Sequence, residues 1–250
     1  GGWVYNEAQT SESCVLSKRQ QSSSGPPYFG YNLSYENNLG RFAFGIQENS
    51  TFGGDIVYAP ANTNEWVHVV GVFHSGDSIS IYINGQFINS QSTSFSSLTN
   101  NSAPFRIGCL GNQVYGSWNG KLDEIFIYDK ALTNVEVSNI YNCNMVDDNL
   151  QGHWNFEEGS GTTAFDLTSN GNHGTINGAT YSTDVPTQSC SLTNSAGCDS
   201  VAVLNLTINH ADTSFTDVIA CDSYTWNDST YTQSGSYNYS GESNNNYAVD

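Results

Sequence analysis

Asp123 and Glu124 stand side by side in the apolar run Leu122 to Tyr128, and five histidines and six cysteines are scattered along the chain. Neighbours on a strand point to opposite faces, so Asp123 and Glu124 are not expected to act together as a catalytic carboxylate pair. His68, His74, His153, His173 and His210 show no metal-ligand spacing, and neither G-x-S-x-G nor H-E-x-x-H occurs. His68 shares a strand face with Trp66 and Val70 and reads as a hydrogen-bonded core residue. Alternation places Asp123 with Ile125 and Ile127 on the inner face, where a carboxylate must be compensated. Either backbone amides do this, or a structural Ca²⁺ held together with backbone carbonyls does. Asp166 and Asp184, in turn-like sequence, are the further candidate oxygen ligands for such an ion. Tyr115, Trp118 and Asn119 join aromatic faces to an amide in loop-like sequence. That set suits a sugar, which needs a stacking surface and partners for its hydroxyl groups, and it equally suits the capping of a sheet edge.

The cysteines, Cys14, Cys109, Cys143, Cys190, Cys198 and Cys221, contain no C-x-x-C pair, which argues against zinc ribbons and thioredoxin-type centres. Their even number, the scarcity of Lys and the abundance of Asn, Ser and Thr favour an oxidising, extracellular compartment. Six cysteines allow 15 pairings. The expected set is Cys14 with Cys109, Cys143 with Cys190, and Cys198 with Cys221, each within or bracketing one apparent unit. No export signal is visible and the chain opens Gly1-Gly2-Trp3, so a window of a longer secreted protein is expected.

Composition bounds the partners. Six Lys or Arg face 24 Asp or Glu across 250 residues, a formal charge of −18. Such a surface repels nucleic acid and anionic lipid, and no apolar run is long enough to insert in a membrane. Aromatic residues (13%) outnumber charged ones (12%), and Asn, Ser, Thr and Gly fill much of the rest, which suits pleated strands and tight turns.

The elements that must position these residues are therefore strands. Short alternating runs at Trp3 to Tyr5, Cys14 to Leu16, Tyr28 to Tyr35, Arg41 to Ile46 and Ile56 to Tyr58 lead to a meander. Trp66 to Phe73 turns into Ile79 to Ile83, and Asn84-Gly85 supplies a type I′ turn before Gln86 to Ile88. Phe105 to Gly108 and Leu122 to Tyr128 add two strands. Thr133 with Glu136 forms a capping box, and Leu132 with Val137 a hydrophobic staple, which predicts a helix over 134–141. Trp154 to Phe156, Thr175-Ile176 and Ala179 to Tyr181 read as short strands, and Trp3, Trp66 and Trp154 as core. From Cys190 the text changes to a small Ig-like β module, Val201 to Tyr239, in which Cys-Asp-Ser repeats at 198 and 221.

The run Glu65 to Val72, Ile81 to Gly85, Phe105 to Gly108 and Gly120 to Tyr128 with Ala131-Leu132-Thr133 resembles the laminin-G-like jelly rolls of the concanavalin A-like superfamily. The likeness covers about residues 1–145. It extends to Leu150 to Pro186, where Trp154-Asn155-Phe156-Glu157-Glu158-Gly159-Ser160-Gly161 looks like a terminal strand segment of bacterial members. The resemblance implies an all-β jelly-roll sandwich over 1–190 with one short helix, residues 150–187 completing it, followed by a truncated Ig-like module over 191–250. Asn244 to Asp250 looks like the opening strand of a next module. The Cys-Asp-Ser-Tyr text resembles repeats of Bacteroidetes-type surface proteins. Superfamily glucanases carry Glu-x-Asp-x-x-Glu on one strand face, and that triplet is absent here. Related jelly rolls commonly hold Ca²⁺, which the resemblance extends to Asp123. The expectation is a non-catalytic extracellular recognition module of a surface adhesin, with polysaccharide, glycoconjugate or neighbouring modules as partners. A structural spacer and an accessory domain of a polysaccharide-degrading enzyme are the alternatives.

Overall fold

Fourteen strands and one helix follow one another in the described part of the first compact unit, Gly1–Ala202, of a computed structural model. The structure describes residues 1–7, 13–22, 25–49, 54–110, 116–188, 223–226 and 229–233. In chain order these are β1 (Gly2–Asn6), β2 (Ser13–Ser22), β3 (Gly25–Glu36), β4 (Arg41–Asn49), β5 (Asp55–Pro60), β6 (Trp66–His74), β7 (Ser78–Ile83), β8 (Gln86–Ser92), β9 (Arg106–Ile107), β10 (Gly120–Asp123), β11 (Ile125–Tyr128), α1 (Asn134–Tyr141), β12 (Leu150–Trp154), β13 (Thr163–Ala164) and β14 (Gly174–Thr175). Two antiparallel five-stranded sheets, ordered β10-β1-β6-β7-β8 and β5-β4-β3-β2-β9, face each other.

Alternation decides which side chains fill the space between them. Val67 and Val69 of β6 and Ile79 and Ile81 of β7 meet Leu33, Phe42, Phe44, Ile46 and Val57 from the second sheet. The sheets approach closely at Gly71, where a Cβ would lie 2.3 Å from the Phe44 ring. The alternate residues of β6, Val70 and Val72, are also buried, because α1 lays Val137 and Ile140 over them together with Tyr82, Phe126 and Leu132. This explains why Trp66 to Phe73 reads as an almost unbroken apolar run: both of its faces are covered.

The meander and the helix form where their local signals place them. Asn84 (φ 50°) and Gly85 (φ 75°) make the turn between β7 and β8. The Asn84 carboxamide accepts from the His68 N–H at 2.9 Å, and the Asn84 N–H donates to the His68 carbonyl at 2.8 Å, pinning the turn to β6. Both halves of the Thr133/Glu136 capping box are formed.

Elsewhere the strands depart from expectation. Leu122 to Tyr128 is not one strand: Glu124 adopts φ 49°, and the chain passes from β10, paired with β1, to β11, paired with β12. The terminal strand is Leu150–Trp154 and stops at Trp154, with Phe156 at φ 54°, and Ala179 to Tyr181 is not a strand. Trp154 and Ala164 lie in the main core. Trp3 is buried elsewhere, against His68 and Tyr141, whereas Trp66 is half-buried. In the second unit, Val203–Asp250, the described residues form one hairpin, β15 (Tyr224–Trp226) with β16 (Ser229–Tyr231); the remainder of the expected Ig-like module, including Cys198 and Cys221, lies outside the described residues.

Cys14 and Cys109 are not joined to each other, a correction to the expected pairing. The Cys14 sulfur is buried and directed at backbone, 3.3 Å from the Leu16 carbonyl oxygen and 3.6 Å from that of Leu33. Cys143 is disulfide-bonded; Cys190, its expected partner, lies outside the described residues.

Candidate functional site

The left-handed turn at Glu124 reorganises the acidic residues. With extended geometry Asp123 and Glu124 would face opposite ways, but here both are buried, at 4% and 5% exposure. Asp123 pairs in register with Trp3. Its Oδ1 accepts from the Glu124 N–H at 2.9 Å, and its Oδ2 is buried with no hydrogen-bond partner among the described residues. Burial first, and the neighbouring Glu124 and Glu157 charges next, push its carboxyl up to about 7.

Glu124 is held by a second residue. Its Oε2 makes a short contact with His153 Nε2 from β12, and the two side chains are 7% and 15% exposed. The His153 backbone N–H donates to Asp166 at 3.0 Å. Asp166 also accepts from the Thr168 and Asn172 backbone and from the Thr168 hydroxyl. Burial works against its charge, but these four donors outweigh burial and hold it below the usual carboxylate range. The carboxylates therefore form a line of structural contacts. It ties the 150–188 segment to the β10/β11 corner and leaves Asp166 saturated.

Asp184 lies apart from that line. It accepts from Lys121 Nζ at 2.7 Å and from the Trp66 indole N–H at 3.2 Å, and those bonds hold its carboxyl down. The three predicted metal-ligating acids thus do not converge, and among the described residues no group of three His, Cys, Asp or Glu is placed to hold an ion. A Ca²⁺ ion takes six to eight oxygens, and of these three acids only Asp123 keeps an oxygen, Oδ2, without a hydrogen-bond partner among the described residues. Asp123, Asp166 and Asp184 do not make a calcium site by themselves.

The expected aromatic platform divides. Tyr115 lies outside the described residues. Trp118 packs against the main core, and its indole N–H donates to the Lys121 carbonyl at 3.2 Å, while Asn119 beside it is exposed. Trp118 caps the sheet edge with most of its ring. His68 is buried as expected, against the rings of Trp3, Phe126 and Tyr141. Its Nδ1 lacks a partner among the described residues, and burial pushes its imidazole down to about 3.

Two concave surfaces lie among the described residues. A cleft of 330 Å³ is lined by apolar side chains such as Leu33, Phe44 and Phe126 together with Tyr31, Ser75, Tyr128, Asp129 and Lys130. A groove of 370 Å³ lies between the Asn84-Gly85 turn and α1, lined by Gly85, Gln86, Phe87, Asn134, Val135, Ser138 and Asn139. The sequence signal for this groove is a lone Phe on a polar edge strand.

Comparison with known proteins agrees with this architecture. Residues 2–138 match the Laminin_G_3 model, described as the concanavalin A-like lectin/glucanases superfamily. No curated protein matches. A solved structure from Bacteroides ovatus ATCC 8483, provisionally described as a carbohydrate binding protein, superposes with a TM-score of 0.53 at 17% identity, covering 72% of this chain and 54% of that one. The chain spans about half the length of that neighbour. The botulinum neurotoxin serotype D binding domain gives a TM-score of 0.42 at 16% identity, covering 56% of this chain and 34% of that one.

Proposed function

The chain belongs to the concanavalin A-like lectin/glucanases superfamily, and on that premise we propose that it is a non-catalytic, extracellular carbohydrate-recognition module of a surface adhesin. One observation carries the reading. The buried acids Glu124 and Asp166 are engaged in structural contacts, Glu124 with His153 and Asp166 with four donors, while aromatic and amide side chains such as Phe87 and Asn119 remain at the surface. Cleavage of a glycosidic bond takes two accessible carboxyl groups across the bond, whereas recognition takes aromatic faces and amides. The Bacteroides neighbour's description supports the carbohydrate part of the proposal, and the acidic, Lys-poor composition supports an extracellular setting. Among the described residues no helix is long and apolar enough to cross a membrane.

A glycan array probed in calcium and in EDTA tests the proposal. Binding to at least one polysaccharide or glycoconjugate is expected, with no release of reducing sugar on prolonged incubation. An array with no binder in either buffer would return the chain to the role of a spacer between modules.

A further inference from the structure

We propose that the groove between the β7–β8 turn and α1 is a binding site for a neutral sugar residue, with Phe87 as its stacking platform. The inference rests on the carbohydrate reading above and gives it a location and a ligand class.

Phe87 is 50% exposed, although it follows the turn directly and pairs in register with Tyr82. Its ring meets the Tyr82 ring edge-on, at 5.7 Å between centroids and 75° between planes, so its orientation is set by a buried neighbour. A ring that is oriented yet half exposed offers a flat face to the C–H surface of a pyranose. Polar groups flank it. The Tyr82 hydroxyl donates to Asn134 Oδ1 at 2.7 Å, which fixes the amide, and Nδ2 is its donor side. Gln86, Ser138 and Asn139 add two further carboxamides and a hydroxyl to the same groove. Carboxamides donate and accept at once, as adjacent sugar hydroxyls require.

The groove is also rigid. Asn84 is bonded twice to His68, and a Cβ on Gly85 would stand 2.9 Å from Tyr141 Cβ, so turn and helix are in contact. A site built on such elements loses little freedom on binding. Its volume of 370 Å³ falls within the range of small-ligand sites, about 300–1,000 Å³. Charge selects among sugars. None of the seven lining residues is charged, in a chain of net charge −18. An acidic sugar would meet an opposing field with no cation to receive it, so the site takes neutral hexose or pentose units.

The test uses the full chain, with a soluble β-glucan, a mannan, a xylan and a galactan as neutral probes and polygalacturonate as the acidic one, read by calorimetry. At least one neutral polymer should bind and polygalacturonate should not. Phe87→Ala should weaken binding about tenfold or more, Phe87→Trp should retain it, and the melting curves of both should overlay the parent. If Phe87→Ala disturbs the fold, Gln86→Ala and Asn139→Ala, both with side chains outside the core, should each weaken binding severalfold. A parent that binds no glycan defeats the carbohydrate reading and this site with it. A parent whose neutral-glycan binding is unaffected by all three alanine variants keeps the reading and overturns the site. Preference for polygalacturonate overturns the ligand class. Self-association that Phe87→Ala abolishes, with glycan binding intact, makes the groove a protein contact and overturns the proposal.

Discussion

Asp123 is the residue whose chemistry is most exposed to experiment. Its carboxyl sits near 7 in the folded chain against 3.8 as an ordinary aspartate, so between those values the folded state keeps a proton that the unfolded state has released. Stability from this residue is therefore highest below about pH 4 and falls as pH rises through 7. Asn at this position keeps an oxygen for the Glu124 N–H and does not titrate. Asp123→Asn should match the parent near pH 4 and exceed it at pH 8 by an amount on the order of 2–4 kcal/mol in urea unfolding. His68, with its imidazole pushed down to about 3, runs the opposite way and loses stability as pH falls from 6.5; it is common to both proteins and cancels. Calcium gives the contrary outcome: were Asp123 a ligand, the substitution would lower stability in calcium buffer and EDTA would lower that of the parent. Little of this was legible in the sequence. Alternation located a buried Asp123, but Glu124 carries no turn signal, and its positive φ is imposed by neighbouring strands that claim the residues on either side of it for two different sheets.

At the scale of elements, local signals were read well and tertiary ones poorly. Asn84-Gly85 and the Thr133/Glu136 box each specify a conformation within four residues, and both form as read. Thr133→Ala should lower stability by about 1 kcal/mol, seen as a small drop in melting temperature with unchanged strand signal. The β7–β8 groove, by contrast, joins residues 85–87 to 134–139, and no window of sequence shows both. For Trp118 the sequence left both a stacking surface and an edge cap open, because loop text does not reveal that the indole reaches the Lys121 carbonyl and the core. The close approach of the sheets also has a measurable consequence. Gly71→Ala forces its new methyl against the Phe44 ring and should cost roughly 1–3 kcal/mol. Combined with Phe44→Val, the loss should be smaller than the sum of the two separate losses, a coupling that distant sites do not show.

For the whole molecule the question is how far the sandwich extends along the chain. β12 pairs with β11, Trp154 stacks on Phe105 at 5.5 Å between ring centroids, and Trp154 and Ala164 lie in the main core. We infer that the 150–188 segment completes the first fold. A chain ending at Asp148 should lack a cooperative melting transition, whereas one ending at Ala202 should retain it; calorimetry of the two decides between completion and an independent unit. The sequence reading rested on Trp154 and the residues around it; it placed the strand at 154–156 and not at Leu150–Trp154, because Phe156 looks like strand sequence and is turned away at φ 54°. The position of β1 has a further effect. Its two neighbours in the sheet are Trp66–Val69 and Gly120–Asp123, both later in the chain, so β1 is synthesised before either partner exists. Such distant pairings slow folding and leave an apolar strand waiting in the open, which makes the pace of synthesis, and not only the final stability, a determinant of how much of this protein reaches its folded state.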